Sequence, residues 1–266
     1  MYSSFQLGLK YLNYYFTAAN GKGHGIHSPF VFDLVKKVLN DKTNYAAYNE
    51  VERQRSLLLG NERIITVEDF GAGSVKGLTK QRVVQQIAAT SLKPKKYAQL
   101  LYRLVHYFQP DQIVELGTSL GITTAYLAKA KQDATVTTME GAAAIAAIAE
   151  EQFRELQLNN IRIVTGNFDE TLQQVIDAAQ QPFNFVFVDG NHRKEPTLRY
   201  FDQLLHKSTA DTVFVFDDIH WSKEMEETWE QLKQHPSVTL TIDLFFIGLV
   251  FLRTEQKQKE HFVIRF

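Results

Sequence analysis

Gln112-Ile-Val-Glu-Leu-Gly-Thr-Ser-Leu-Gly-Ile-Thr-Thr-Ala-Tyr-Leu-Ala128 is the stretch whose reading decides the fold. A short apolar run, Ile113-Val114, leads to an acid, Glu115, and then to Gly117 and Gly121 around Thr118 and Ser119. After Gly121 small and apolar residues recur at helical spacing, with Ala125, Leu127 and Ala128 among them. The pattern is a strand, a tight glycine turn and a helix N-terminus. Glycine tolerates positive φ and has no Cβ, so such a turn lets backbone N–H groups approach a ligand closely. Taken alone it is equally an ordinary strand–helix turn, and the residues downstream decide between the two.

Working outward, strands are expected at 112–116, 134–139, 161–165, 184–188 and 212–216, with helices at 122–131, 143–157, 169–180, 195–206 and 222–234. Alternation at this spacing predicts a mainly parallel sheet covered on both faces. Two β-rich runs within 238–252 have no helix between them and read as an antiparallel hairpin, and 261–266 offers a final strand. The fold class is therefore α/β: a Rossmann-like, mainly parallel, seven-stranded sheet with a terminal antiparallel hairpin and a helical N-terminal extension. The domain division is 1–90 for the extension and 91–266 for the sheet domain.

In the extension, Phe5, Leu7, Leu9, Tyr11, Leu12, Tyr15 and Phe16 form a broad apolar face suited to a homodimer contact. Residues 20–30 hold three glycines and a proline and read as a loop, after which Ser28-Pro29 caps the next helix. His24 and His27 lack an acidic or sulfur neighbour, which argues against a metal there. Asp69-Phe-Gly-Ala-Gly-Ser74 resembles the main glycine turn locally. No strand ending in an acid follows it at the spacing of a ribose-binding partner, so it reads as a structural turn.

Ligands of open α/β sheets sit beyond the carboxyl ends of the strands. The first strand of the series ends in Glu115 and the glycine turn, and the second in Glu140-Gly141. Glu140 lies 19 residues past Gly121, a spacing that suits a carboxylate taking both hydroxyls of a ribose. The third ends in Gly166-Asn167-Phe168, where a base could slot beside the ring, the fourth in Asp189 and the fifth in Asp217-Asp218.

This layout resembles the class I S-adenosylmethionine-dependent methyltransferases. Within them it is most similar to the metal-dependent O-methyltransferases of the catechol and caffeoyl-CoA type. The motifs ELGTSLG, TMEG, GNFDETL and VDGNH and the final hairpin carry the likeness over residues 95–253. The resemblance implies S-adenosylmethionine as donor, held by Glu115, Gly117, Thr118, Ser119, Gly121, Glu140, Gly141, Asn167, Phe168 and Asp189. It implies a divalent cation on Asp189, Asp217 and Asp218, and a general base at His192 beside Asp189. Two departures matter: the family's Asn is Asp218 here, and its Lys is His192. Oxygen ligands favour Mg²⁺, Mn²⁺ or Ca²⁺, and His220 and Trp221 are placed to shape the acceptor pocket. The expected reaction is methyl transfer to a small-molecule hydroxyl.

The bulk composition agrees. The chain has 266 residues, 44% hydrophobic and 22% charged, enough for a full core. A formal net charge of −1 argues against a nucleic-acid partner. The absence of cysteine excludes disulfides and zinc–thiolate sites. Neither a signal-like N-terminus nor a membrane-length apolar run occurs, so no membrane partner is expected and a cytoplasmic location is. The rivals are a methyltransferase for RNA or protein, a non-catalytic donor-binding protein of the same fold, and an NAD-type Rossmann enzyme. The GxxxG spacing in place of GxGxxG counts against the last.

Overall fold

Strand and helix alternate because apolar runs of strand length are separated by amphipathic stretches, as the computed structural model makes concrete for residues 1–68 and 79–266. The glycine loop at 69–74 lies outside the described residues. In chain order the helices are α1 (Ser4–Thr17), α2 (Pro29–Leu34), α3 (Ala46–Leu59), α4 (Val84–Ser91), α5 (Lys95–Phe108), α6 (Ile122–Ala130), α7 (Ala143–Glu155), α8 (Phe168–Ala178), α9 (Lys194–Leu205) and α10 (Lys223–Gln234). The strands are β1 (Ile64–Glu68), β2 (Thr79–Val83), β3 (Gln112–Leu116), β4 (Thr135–Glu140), β5 (Ile161–Thr165), β6 (Phe183–Val188), β7 (Ser208–Asp217), β8 (Leu240–Asp243), β9 (Ile247–Phe251) and β10 (Glu260–Val263). The expected elements from 112 to 252 are present with their ends shifted by a few residues.

The chain divides into two units, Thr43–Gln181 and Met1–Lys42 with Pro182–Phe266. In the first, β3 pairs parallel with β4, and β4 with β5. Ile113, Val114 and Leu116 are buried, which is why β3 reads as an apolar run rather than an alternation. α5 ends where Gln109 adopts φ 52, just before Pro110. α3 is tied to α6 by the Tyr126 hydroxyl, which donates to Glu52 at 2.8 Å. β1 and β2 form an antiparallel pair that the sequence reading did not anticipate, since the glycines beyond β1 drew it as a turn.

In the second unit the strand order is β10-β8-β9-β7-β6. β6 and β7 are parallel, and the expected antiparallel hairpin β8–β9 lies against β7. β10 adds itself parallel to β8. With it the strands from residue 112 onward number eight among the described residues, one more than expected. Phe201 packs edge-on against Phe214 and Phe216 to bury α9 on β7.

The N-terminal helix departs from the expected single apolar face. Leu7, Tyr11 and Tyr14 pack with Ala18, Phe245 and Phe246, whereas Phe5, Leu9, Leu12 and Phe16 stay exposed. Ser28 caps α2 with Pro29 at its start, as the dipeptide predicts, and α2 runs on into a π-helical turn over Val35–Leu39.

Gly248 marks a close approach of backbone to a ring in this unit. A Cβ there would lie 2.6 and 2.7 Å from ring carbons of Trp229 and 3.1 Å from Ile219. Trp229 is buried on α10 and cannot swing away. Gly248→Ala is expected to cost about 1–3 kcal/mol through overpacking, read as a lowered midpoint in urea unfolding with an unchanged slope.

Candidate functional site

The glycine turn is built on positive φ at Gly117 (109°), Ser119 (48°) and Gly121 (82°). The N–H groups of Gly117 and Thr118 both donate to the Met139 carbonyl at 3.0 Å, which clips the turn to the end of β4. Glu140 completes the clip. One carboxylate oxygen accepts the Ser119 N–H at 2.9 Å and the other the Ala142 N–H at 3.0 Å. Burial raises the Glu140 pKa above the ordinary carboxylate value, against the lowering effect of the Ala142, Ser119 and Gly141 N–H donors. Gly141 follows it, partly buried.

Beneath the turn lies a set of hydroxyls around one carboxylate. Glu115 is fully buried and faces Thr138 across the β3–β4 register. One of its oxygens accepts from Thr138 at 2.6 Å and from Thr124. Thr138 in turn lies 2.6 Å from the Thr118 hydroxyl. Glu115 and Thr118 thus brace the turn from below. Sequence reasoning missed Thr138 and Thr124. The signal for Thr138 was its place on the neighbouring strand, which only a register supplies. Gly166, with φ 138°, donates its N–H to the Glu140 carbonyl at 2.9 Å. Asn167 caps α8 by accepting the Asp169 N–H at 3.1 Å, which places partly buried Phe168 at the first helical position.

The second group belongs to the other unit. In the β6–β7 register Val188 faces Phe216, so Asp189 and Asp217 emerge side by side at the strand ends. Asp217 is 2% exposed. Asp189, His192 and Asp217 each present a ligand atom within 4.8 Å of the others'. Asp218 is not one of that group: its φ is 53°, and its N–H donates to the Phe246 carbonyl at 2.7 Å. His192 Nε2 lies 3.5 Å from Asp189 Oδ1, and its ring packs against Trp221 at 5.7 Å between centroids. Burial alone would lower the His192 pKa, but Asp189, Asp217 and Asp218 raise it above the ordinary imidazole value. Strain marks the loop, with positive φ at Asn191 (67°) and His192 (31°).

His220 faces other partners. Its ring nitrogens sit 2.7 Å from Asp243 and 3.1 Å from Glu226, and it stacks on Phe245. Glu226 also accepts from the Tyr2 hydroxyl and from Lys10. The Tyr2 N–H donates to the Trp221 carbonyl at 3.1 Å, so the start of the chain is bonded directly beside the residue that packs on His192. Tyr2, Lys10, Glu226 and Asp243 were not singled out by sequence, because their partners are remote along the chain. His24 and His27 are exposed in their loop.

Residues 114–219 match a family model described as a methyltransferase domain. A catechol O-methyltransferase of Niastella koreensis is 31% identical over 135 residues, covering 49% of this chain and 59% of that protein. The chain thus matches somewhat over half the length of this curated relative. Among solved structures, an O-methyltransferase from Bacillus cereus in complex with SAH superposes with a TM-score of 0.56 at 22% identity, covering 84% of this chain and 97% of that one. An O-methyltransferase from Streptomyces achromogenes, involved in tomaymycin synthesis and solved in complex with SAM, gives a TM-score of 0.54 at 20% identity, covering 84% and 96%. Residues 114–219 thus resemble a methyltransferase domain, and the chain shares the fold of these O-methyltransferase structures.

Proposed function

We propose that the protein transfers the methyl group of S-adenosylmethionine to a hydroxyl oxygen of a small molecule. One observation carries this reading. The Glu140 carboxylate is fixed at a strand end by two backbone N–H groups, one of them from the glycine turn. That is the placement a ribose diol requires beside a turn that can receive the rest of the donor. Phe168 then serves the adenine, and Gly117, Ser119, Gly121, Gly141 and Asn167 line the donor. Glu115 and Thr118 act from beneath.

The transfer is an in-line displacement: the acceptor oxygen forms a bond to the methyl carbon as the carbon–sulfur bond breaks, leaving S-adenosylhomocysteine. The acceptor hydroxyl must lose its proton. Asp189, His192 and Asp217 are the groups suited to that task, by taking the proton or by holding a cation. Two carboxylates and an imidazole form a donor set that fits a divalent cation. When bound, such an ion lowers the pKa of a coordinated hydroxyl. Residues 91–266 carry the chemistry in this reading. Within the extension 1–90, α1 and Tyr2 shape the acceptor side, which the bond from Tyr2 to Trp221 supports.

Isothermal calorimetry with S-adenosylmethionine and S-adenosylhomocysteine is expected to give dissociation constants on the order of micromolar. Absence of donor binding would sink the enzyme reading. Binding without turnover across a panel of catechols, phenols and other hydroxyl acceptors would favour the non-catalytic rival.

A further inference from the structure

We infer that His192 is a metal ligand rather than the general base, and that the site therefore selects a borderline transition metal, Mn²⁺, Co²⁺ or Zn²⁺, over Mg²⁺ and Ca²⁺. The inference rests on the methyltransferase reading for its context but not for its test.

Several features of the site converge on this assignment. The loop after β6 turns back through positive φ at Asn191 and His192, which returns the imidazole toward the strand ends. The Asn191 side chain donates to the Tyr200 hydroxyl at 3.2 Å and anchors the loop on α9. The Trp221 ring supports the imidazole from one side. The imidazole is thereby held next to two carboxylates that the β6–β7 register already sets side by side.

The spacing fits shared ligation. The 3.5 Å from Nε2 to Asp189 Oδ1 is longer than the about 2.7–3.2 Å of a well-made N–H···O bond. Two ligand atoms each about 2.1 Å from one ion lie roughly 3.0 Å apart at a right angle and roughly 3.4 Å apart at a tetrahedral angle. The ligand atoms of all three residues fall within 4.8 Å of one another, close to the roughly 4.2 Å across one coordination sphere.

The donor set then decides the metal. Mg²⁺ and Ca²⁺ take oxygen ligands, whereas an imidazole nitrogen suits the later first-row divalent ions. A lysine at position 192 would remain cationic and repel the ion. Histidine replaces a repelling charge with a lone pair. Ligation through Nε2 occupies the lone pair a general base would need, so the two roles are exclusive at that atom. Asp218, with its main chain turned to Phe246, stands outside the ligating group.

The test uses the full chain, with electron paramagnetic resonance titration of Mn²⁺, competition by Mg²⁺, and electron spin-echo envelope modulation to detect a directly bound nitrogen. The wild type is expected to bind Mn²⁺ at least about tenfold more tightly than Mg²⁺ and to show ¹⁴N modulation. His192→Gln is expected to lose the modulation and at least about tenfold in Mn²⁺ affinity, while S-adenosylhomocysteine binding by calorimetry stays within about twofold. Nitrogen modulation that persists in His192→Gln overturns the inference. So does Mn²⁺ affinity unchanged by that substitution, or Mg²⁺ binding as tight as Mn²⁺. No metal binding beside normal S-adenosylhomocysteine binding also overturns it and leaves the methyltransferase reading standing. Metal binding without any donor binding does the reverse.

Discussion

Gly121→Ala is expected to lower stability by about 2–5 kcal/mol and to abolish donor binding at working concentrations. Two costs combine. The residue sits at φ 82°, where an L side chain is strained by about 1–2 kcal/mol. Its Cβ would also lie 2.7 Å from a ring carbon of Phe153 and 3.0 Å from the Ala149 methyl on α7, which adds about 1–3 kcal/mol of overpacking. Gly25 supplies the control. It has the same φ of 82°, but nothing lies within 4 Å of its Cβ position. Gly25→Ala should therefore show only the backbone cost, about 1–2 kcal/mol. Thermal unfolding of both variants separates the terms. Equal losses would mean that packing of the turn against α7 contributes nothing.

The second large effect is at Glu140. Glu140→Ala removes the acceptor for two backbone N–H groups and the proposed partner of the ribose hydroxyls. A charged hydrogen bond is worth about 1.5–3 kcal/mol, so donor affinity should fall about 100-fold or more. Glu140→Gln keeps one acceptor oxygen and should lose about tenfold. Acidity adds a signature of its own. Because burial raises this pKa, the carboxylate protonates at higher pH than an ordinary glutamate, and donor affinity should fall correspondingly early on acidification. Stability runs the other way. A carboxyl whose folded pKa is raised contributes stability that is fully present below its unfolded pKa and lost as pH rises through the folded one. Acidification through that window should weaken donor binding while this group's share of stability grows. Calorimetry and thermal unfolding in one pH series check both, and affinity flat across the acidic range in wild type would remove Glu140 from the donor site.

Much of this was legible in the chain itself, for a physical reason. A parallel strand buried on both faces must be an apolar run, as at 113–114 and 185–188, and the polar residue that follows marks the strand end. Since ligands meet such sheets at those ends, Glu140, Phe168, Asp189 and Asp217 could be picked out by position alone. The glycines at 117 and 121 were legible because only a positive φ calls for them there.

What the tertiary structure decided depends on register and on contacts remote along the chain. That Glu115 is braced by Thr138 follows from pairing β3 with β4 in one alignment, and a slip by one residue would have turned that hydroxyl to the other face. The N-terminal helix carries apolar residues around most of its surface, so composition could not say that Leu7, Tyr11 and Tyr14 would turn inward; Phe245 and Phe246, at the far end of the sequence, decided it. Likewise the residues whose ligand atoms converge are Asp189, His192 and Asp217, not only the run of two adjacent aspartates that the sequence displays. The chain by itself determined an α/β fold with a mainly parallel sheet and the residues at its strand ends, because periodicity and strand-end position are local properties. Only the tertiary structure set His192 beside Asp189 and Asp217, because side-chain position at a strand end is set by the φ of the loop and by the neighbouring strand.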